Sequence, residues 1–181
     1  MKKTQRKVKL HSNSPFKGEY NIVKIKATFR WLPRKIWFWL YDHGFLNHRI
    51  ISRTSYSNLI VANENNGLNL IFQALGGYTV YPIELDNASI GTGTTPPDAD
   101  DTDLETPVVQ NIVRARRTVG IDNIVTEWFL SNDELPNGTY NEFALKCGTQ
   151  LFARSIISPA HTKGDLEDTL FEYTISATIT P

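Results

Sequence analysis

The sequence has 181 residues, of which 40% are hydrophobic and 21% are charged. This is the composition of an ordinary globular chain, and it excludes wholesale disorder, collagen and a coiled coil. Cys147 is the only cysteine, so an internal disulfide cannot form. The 19 basic and 19 acidic side chains cancel, but they are unevenly distributed. Residues 1–53 hold 13 basic and two acidic side chains (+11), and residues 54–181 hold six basic and 17 acidic ones (−11).

This charge asymmetry is a clue to binding partners, and it leaves three interpretations open. The two parts can neutralise each other within one folded monomer. Alternatively, the basic segment can lie on an acidic face of a neighbouring subunit. The third interpretation, contact with nucleic acid, is the least favoured of the three.

The N-terminal third of the chain predicts an arm and two strands. Residues 1–18 are polar and basic and predict an extended arm, followed by a single domain over residues 19–181. Apolar residues alternate with polar ones over Val23–Trp31, which predicts a half-buried strand. The run Ile36–Tyr41 is apolar on both faces and predicts a buried strand. It is too short to cross a bilayer, so we expect no membrane span.

One short α-helix is predicted over about residues 66–75, because apolar side chains recur at positions i, i+3, i+4 and i+7 from Leu68. Asn65 or Asn66 is expected to cap its start. Gly76-Gly77 is expected to supply a left-handed stop.

Beyond the helix the sequence predicts short strands separated by turns. Asn137-Gly138 is typical of a two-residue hairpin, and residues 91–105 and 158–168 are predicted to be irregular. The pattern predicts a mainly β fold, an antiparallel β-sandwich with one short helix. The predicted strands are Tyr78–Leu85, Ala88–Gly91, Val119–Leu130, Tyr140–Cys147, Gln150–Ile157 and Phe171–Ile179.

Two polar segments are candidate ligand sites. Gly91–Pro97 is rich in glycine, but it lacks the Lys-Ser/Thr end of a phosphate-binding loop and favours a structural turn. The acidic residues that follow could hold a hard cation, although their spacing departs from that of a calcium loop. The metal candidates are Asp98, Asp100, Asp101 and Asp103.

The residues indicate contacts between proteins rather than catalysis. The sequence has no zinc-type histidine spacing, no Cys-x-x-Cys and no Gly-x-Ser-x-Gly motif, so we expect neither an enzyme nor a cofactor. Basic clusters and aromatic side chains suit contacts between subunits. The interface candidates are Lys2, Lys3, Arg6, Lys7, Lys9, Arg34, Lys35, Trp37, Trp39, Arg114, Arg116 and Arg117.

Several segments follow one another in a characteristic order between about residues 56 and 181. They are Asn58-Leu59-Ile60-Val61 with Asn66–Ile71, Ala88–Pro97 with Asp101-Thr102-Asp103-Leu104, Arg114, Trp128-Phe129-Leu130, Gly138–Leu145, Leu151-Phe152-Ala153-Arg154, and Ser158-Pro159 with Lys163. This ordered set resembles small virion proteins of tailed bacteriophages. Ala144 departs from the family pattern, which has glycine there.

The resemblance implies a structural subunit of the tail, the baseplate or the fibre-attachment region, assembled in the host bacterial cytoplasm. It implies partners that are other copies of the chain, in a ring or trimer, and other virion proteins, and no small-molecule substrate. Two alternatives remain open: a receptor- or glycan-binding module of the tail, and a head, decoration or portal-proximal protein.

Overall fold

The structure is a computed structural model that describes residues 16–27, 32–78, 80–81 and 83–177. These residues form ten β-strands and two α-helices, α1 (Arg34–Asp42) and α2 (Leu68–Leu75). A short 3-10 helix spans Asn47–Arg49. The strands are β1 (Phe16–Lys26), β2 (Ile50–Ser57), β3 (Leu59–Ile60), β4 (Leu85–Gly91), β5 (Pro107–Val113), β6 (Arg116–Val119), β7 (Asn123–Leu130), β8 (Gly138–Cys147), β9 (Gln150–Lys163) and β10 (Glu167–Ala177).

The strands form two antiparallel five-stranded sheets. The first sheet has the order β2-β1-β10-β7-β6, and the second has the order β3-β9-β8-β4-β5. The predicted mainly β, sandwich-like fold with a short helix is therefore confirmed. Its core lies where the inner faces of the sheets meet, and there Phe143 of β8 stacks on Phe171 of β10 with ring centroids 4.5 Å apart.

The predicted strand over Ile36–Tyr41 is wrong, because this segment lies in helix α1. A run that is apolar on both faces does not distinguish a buried strand from a buried helix. Trp37 and Phe38 pack on the outer face of the first sheet, where the Trp37 ring lies 4.3 Å from that of Phe129. Helix α1 therefore covers this sheet instead of joining one.

Helix α2 confirms the helical prediction, but its start differs from the expected cap. Gly67 occupies the N-cap position with φ +49°, and no side chain caps the helix. A Cβ at Gly67 would lie 1.9 Å from the Val61 carbonyl oxygen, so this close approach requires glycine. The predicted stop is present, because Gly77 has φ +80° and the Tyr78 amide donates to the Gln73 carbonyl.

Several predicted boundaries shift. The predicted strand Tyr78–Leu85 is wrong, since β4 begins only at Leu85. The predicted strand Val119–Leu130 is divided between β6 and β7 by a turn at residues 120–122. β9 and β10 occupy most of residues 158–168, which were predicted to be irregular, because β9 stays paired with β8 as far as Lys163.

The predicted hairpin at Asn137-Gly138 is also wrong. β7 belongs to the first sheet and β8 to the second, so this turn carries the chain across the sandwich. Residues 16–18 of the predicted arm begin β1. The rest of the arm, residues 1–15, lies outside the described residues, as do residues 28–31 and 178–179 of the predicted strands.

Candidate functional site: the Glu142 cluster and the open end of the sandwich

The outer face of β8 carries a fully buried carboxylate. Glu142 is 0% exposed and accepts three backbone hydrogen bonds from the loop over residues 91–106. The amide of Gly93 lies 3.0 Å from its Oε1, that of Thr106 lies 2.7 Å from Oε1, and that of Glu105 lies 3.0 Å from Oε2. One side chain thereby ties both ends of the loop to the sheet.

Arg154 of β9 neutralises this carboxylate. Its Nη2 lies 3.0 Å from Glu142 Oε2, and its Nη1 lies 2.8 Å from Asp101 Oδ2. Its Nη2 also donates to the Thr95 carbonyl oxygen at 3.1 Å. Because the Arg154 side chain is 3% exposed, these charge-assisted bonds form largely away from water. We call Glu142, Arg154, Asp101, Glu105 and the loop amides that they bind the Glu142 cluster.

The glycines of the segment Gly91–Gly93 permit the close contacts of this cluster. A Cβ at Gly93 would lie 2.6 Å from Glu142 Oε1, and one at Gly91 would lie 2.3 Å from the Thr106 carbonyl oxygen. The amides of Thr94 and Thr95 donate to Glu105 Oε2 and hold the pKa of that carboxyl below its usual range. The loop amides that could cradle a phosphate thus bind the chain's own carboxylates.

The metal candidates lie on the same loop, but they serve different partners. Asp101 binds Arg154, and Asp103 binds Lys146 with 2.7 Å between Oδ1 and Nζ. Asp98 and Asp100 form a local turn, in which the Asp100 amide donates to Asp98 Oδ1. Within residues 16–27, 32–78, 80–81 and 83–177 we find no group of three metal-ligating side chains.

Three of the interface candidates, Arg114, Arg116 and Arg117, pair within the chain. Arg114 and Arg117 both bind the Glu84 carboxylate, at 2.6 Å and 3.0 Å. Arg116 binds Glu127 of β7 and Asp42 of α1.

Arg116 also joins helix α1 to the first sheet. Its guanidinium lies 4.4 Å from the centroid of the Phe38 ring. Its hydrogen bonds hold the pKa of Asp42 below its usual range. Burial raises the pKa of Glu127, although Arg116 acts in the opposite direction. The arginine therefore fastens the helix within one chain.

The remaining candidates differ in their exposure. Trp37 was predicted as an interface residue, but this is wrong, because it is 1% exposed within the core under α1. Trp39 is 52% exposed and stacks on Phe45, so its side chain is accessible to a partner molecule. Arg34 pairs with Glu134, and Lys35 is exposed. Lys2, Lys3, Arg6, Lys7 and Lys9 lie outside the described residues.

One end of the sandwich is open and apolar. A cavity of about 290 Å³ lies between the sheets where β4 and β7 begin and where β8 and β10 end. We call this region, with the β6–β7 turn beside it, the open end. The cavity lining is Ile60, Ile71, Ile83, Glu84, Leu85, Arg117, Ile124, Thr126, Cys147, Phe152 and Ile175.

Four polar side chains line this cavity. Glu84 and Arg117 are half-exposed and pair with each other, whereas the buried Thr126 and Cys147 carry no charge at neutral pH. The Thr126 hydroxyl is buried and has no hydrogen-bond partner among the described residues. Burial raises the pKa of the Cys147 thiol to about 12, so it stays protonated. The cavity therefore suits an apolar occupant.

The sequence pattern missed most of this arrangement. In the sequence, Glu142 and Arg154 stand out only as members of two segments of the resemblance, Gly138–Leu145 and Leu151–Arg154. A charged residue in the apolar strand Tyr140–Cys147 was the available signal, because a buried charge requires a partner. Nothing in the local pattern indicated the cavity.

Comparison of this chain with protein-family models, curated protein sequences and solved structures found no match. Neither helix of the described part is long and apolar enough to cross a membrane.

Proposed function

We propose that this chain is a structural subunit of a tailed-phage virion, in the tail, the baseplate or the fibre-attachment region, and that it acts by assembling with its own copies and with other virion proteins. The observation that carries the proposal is the convergence of separate motifs at the Glu142 cluster. Gly91–Gly93, Asp101, Glu142 and Arg154 come from separate stretches of the resemblance, and they meet within hydrogen-bonding distance.

This convergence gives the ordered motif set a structural basis. A buried, fully hydrogen-bonded ionic cluster fixes one geometry of a loop, which is what a subunit needs in order to present the same surface in every copy. The Glu142 cluster uses its charged groups for this purpose. The motifs therefore support a domain that presents one defined surface, which is what an assembly subunit requires.

The charge distribution supports the proposed mode of assembly. The loop held by the cluster presents Asp98, Asp100 and Asp103 as exposed acids. Residues 1–15 carry five basic side chains and no acidic one. Opposite charges on an arm and a body select partner and register more than they raise affinity. We propose that the arm of one copy contacts the body of the next.

The proposal is tested on purified particles of the phage that encodes the chain, produced in its bacterial host. We expect mass spectrometry to detect the chain in gradient-purified virions. Changing the five basic residues of the arm to Gln should lower its incorporation at least tenfold. Changing the exposed body residues Lys26 and Arg53 to Gln is the matched control and should leave incorporation unchanged. Absence of the chain from the particles would overturn the proposal.

A second candidate function, glycan binding by the tail, is favoured by one surface. Trp39 and Phe45 stack at 5.6 Å between ring centroids and are both more than half exposed, which leaves an aromatic face that can stack on a sugar ring. Purified protein should then adsorb to host cells, and Trp39→Ala should abolish adsorption. No adsorption at micromolar protein would dismiss this function.

A further inference from the structure

The turn between β6 and β7 is an exposed apolar projection. Ile121 at its tip is fully exposed, and Val119 beside it is 66% exposed. The Gly120 amide donates to the Asn123 carbonyl at 2.8 Å, so the turn is tightly closed. Turns of this kind are normally polar at the tip. An isoleucine there leaves apolar surface in water.

The cavity of the open end lies directly beside this projection. Its wall includes Ile124 and Ile175, which also line a second hollow of about 280 Å³ beneath the Val119–Asn123 turn. A projecting apolar side chain and an apolar recess thus occupy the same face of the molecule. Such a face can bind its own copy about a two-fold axis, because each copy offers both parts.

The charges around the two features are complementary. Arg117 and Glu84 line the cavity, and Glu84 also pairs with Arg114, so this group of two guanidiniums and one carboxylate carries a net positive charge. Asp122 follows Ile121 at the tip, is exposed, and has no ion pair within the described part of the chain. A tip that enters the cavity of another copy therefore carries the charge that the rim lacks.

We propose that a second copy of this chain occupies the cavity, with the Ile121 side chain of each copy inserted between the sheets of the other and Asp122 set against Arg117. This inference rests on the proposed assembly function and names one of its interfaces. The apolar lining and the protonated Cys147 thiol favour a hydrocarbon side chain over a polar ligand. Contact on this face removes apolar surface from water in both copies.

The first experiment is sedimentation velocity on the full chain over a range of concentrations. We expect a reversible dimer, and we expect Ile121→Asn to weaken the association at least tenfold. Leu166→Asn is the matched control, because Leu166 is 65% exposed in the β9–β10 turn at the other end of the sheet. Association of Ile121→Asn equal to that of the unaltered chain, or a monomer at every concentration, would overturn the inference.

The second experiment is a charge exchange between the tip and the rim. Asp122→Arg and Arg117→Asp should each weaken association at least tenfold, and the double variant should restore it to within about threefold, whereas a folding defect would not be reversed. Failure of the double variant to recover would overturn the contact.

A measurement on virions separates this interface from the proposed function. Incorporation into virions by a chain that is monomeric in solution would overturn this interface and leave the proposed function standing. A dimer that is absent from virions would do the reverse.

Discussion

The Glu142 cluster lies on the outer face of the second sheet and the open end lies between the two sheets, and the two regions treat polar groups in opposite ways. In the cluster, a carboxylate that is 0% exposed receives three backbone amides and a guanidinium. At the open end, the buried Thr126 hydroxyl has no partner among the described residues, beside a cavity of about 290 Å³. The buried polar group of the first region has its hydrogen-bond partners within the chain, and that of the second has none among the described residues.

The difference indicates which of the two regions is fully packed and paired within the monomer. Removing one member of a saturated buried ion pair leaves its partner charged and unpaired, which costs several kcal/mol. Removing a polar group that has no partner costs nothing and can stabilise the fold. The cluster therefore holds the loop against the second sheet, whereas the open end has an apolar cavity that a partner can occupy.

The largest effect is expected at the centre of the cluster. Glu142→Gln should lower the free energy of unfolding by about 3 kcal/mol, because Arg154 stays buried without its main counter-charge. Urea denaturation measures this change. Glu64→Gln is the matched control on an exposed carboxylate and should change stability by less than about 0.5 kcal/mol. A loss below about 1 kcal/mol for Glu142→Gln would show that the cluster does not fasten the loop.

A smaller loss is expected from crowding the same cluster without changing a charge. Gly93→Ala places a methyl group 2.6 Å from Glu142 Oε1, and should destabilise the fold by about 2 kcal/mol as the loop shifts. Gly138→Ala provides the control, since its nearest neighbouring atoms lie 3.9 Å from the added Cβ. Thermal unfolding of both variants compares them, and equal melting temperatures would contradict the close packing described for the loop.

The smallest effect has the opposite sign and lies at the open end. Thr126→Val removes a buried hydroxyl that has no partner within the described residues, and should raise the free energy of unfolding by about 1 kcal/mol. Thr118→Val on the exposed strand β6 serves as the control and should be close to neutral. A destabilised Thr126→Val would mean that the hydroxyl is hydrogen-bonded after all, and the two regions would then no longer differ.

Local patterns were reliable where one short segment decides its own structure. Helix α2 was predictable because the apolar spacing from Leu68 and the glycines after Leu75 act within a few residues. Helix α1 was not, because Ile36–Tyr41 is apolar on every side, and a run of that kind fits a buried strand or a buried helix equally well. The turn at Asn137-Gly138 failed for a related reason, since its local chemistry cannot report which sheet the next strand joins.

The candidate site divides in the same way. The acidic segment Asp98–Asp103, the basic segment Arg114–Arg117 and the aromatic segment Ile36–Tyr41 were all visible as residue types in the sequence. Their roles depended on contacts between distant segments: Arg154 lies 53 positions from Asp101, and Arg116 lies 74 positions from Asp42. Trp37 and Trp39 show the limit most simply, since the two residues have the same side chain and are two positions apart, but only Trp37 faces the sheet.

By itself, the amino-acid sequence determined the class of the fold, the place of one helix and the separation of a basic segment from an acidic body. These properties follow from composition and short periodicities, which act along the chain. The tertiary structure alone decided that Glu142 and Arg154 pair, that Trp37 is buried and that a cavity stays open beside Ile121. Those outcomes depend on which strands become neighbours, and that is settled by packing across the whole molecule.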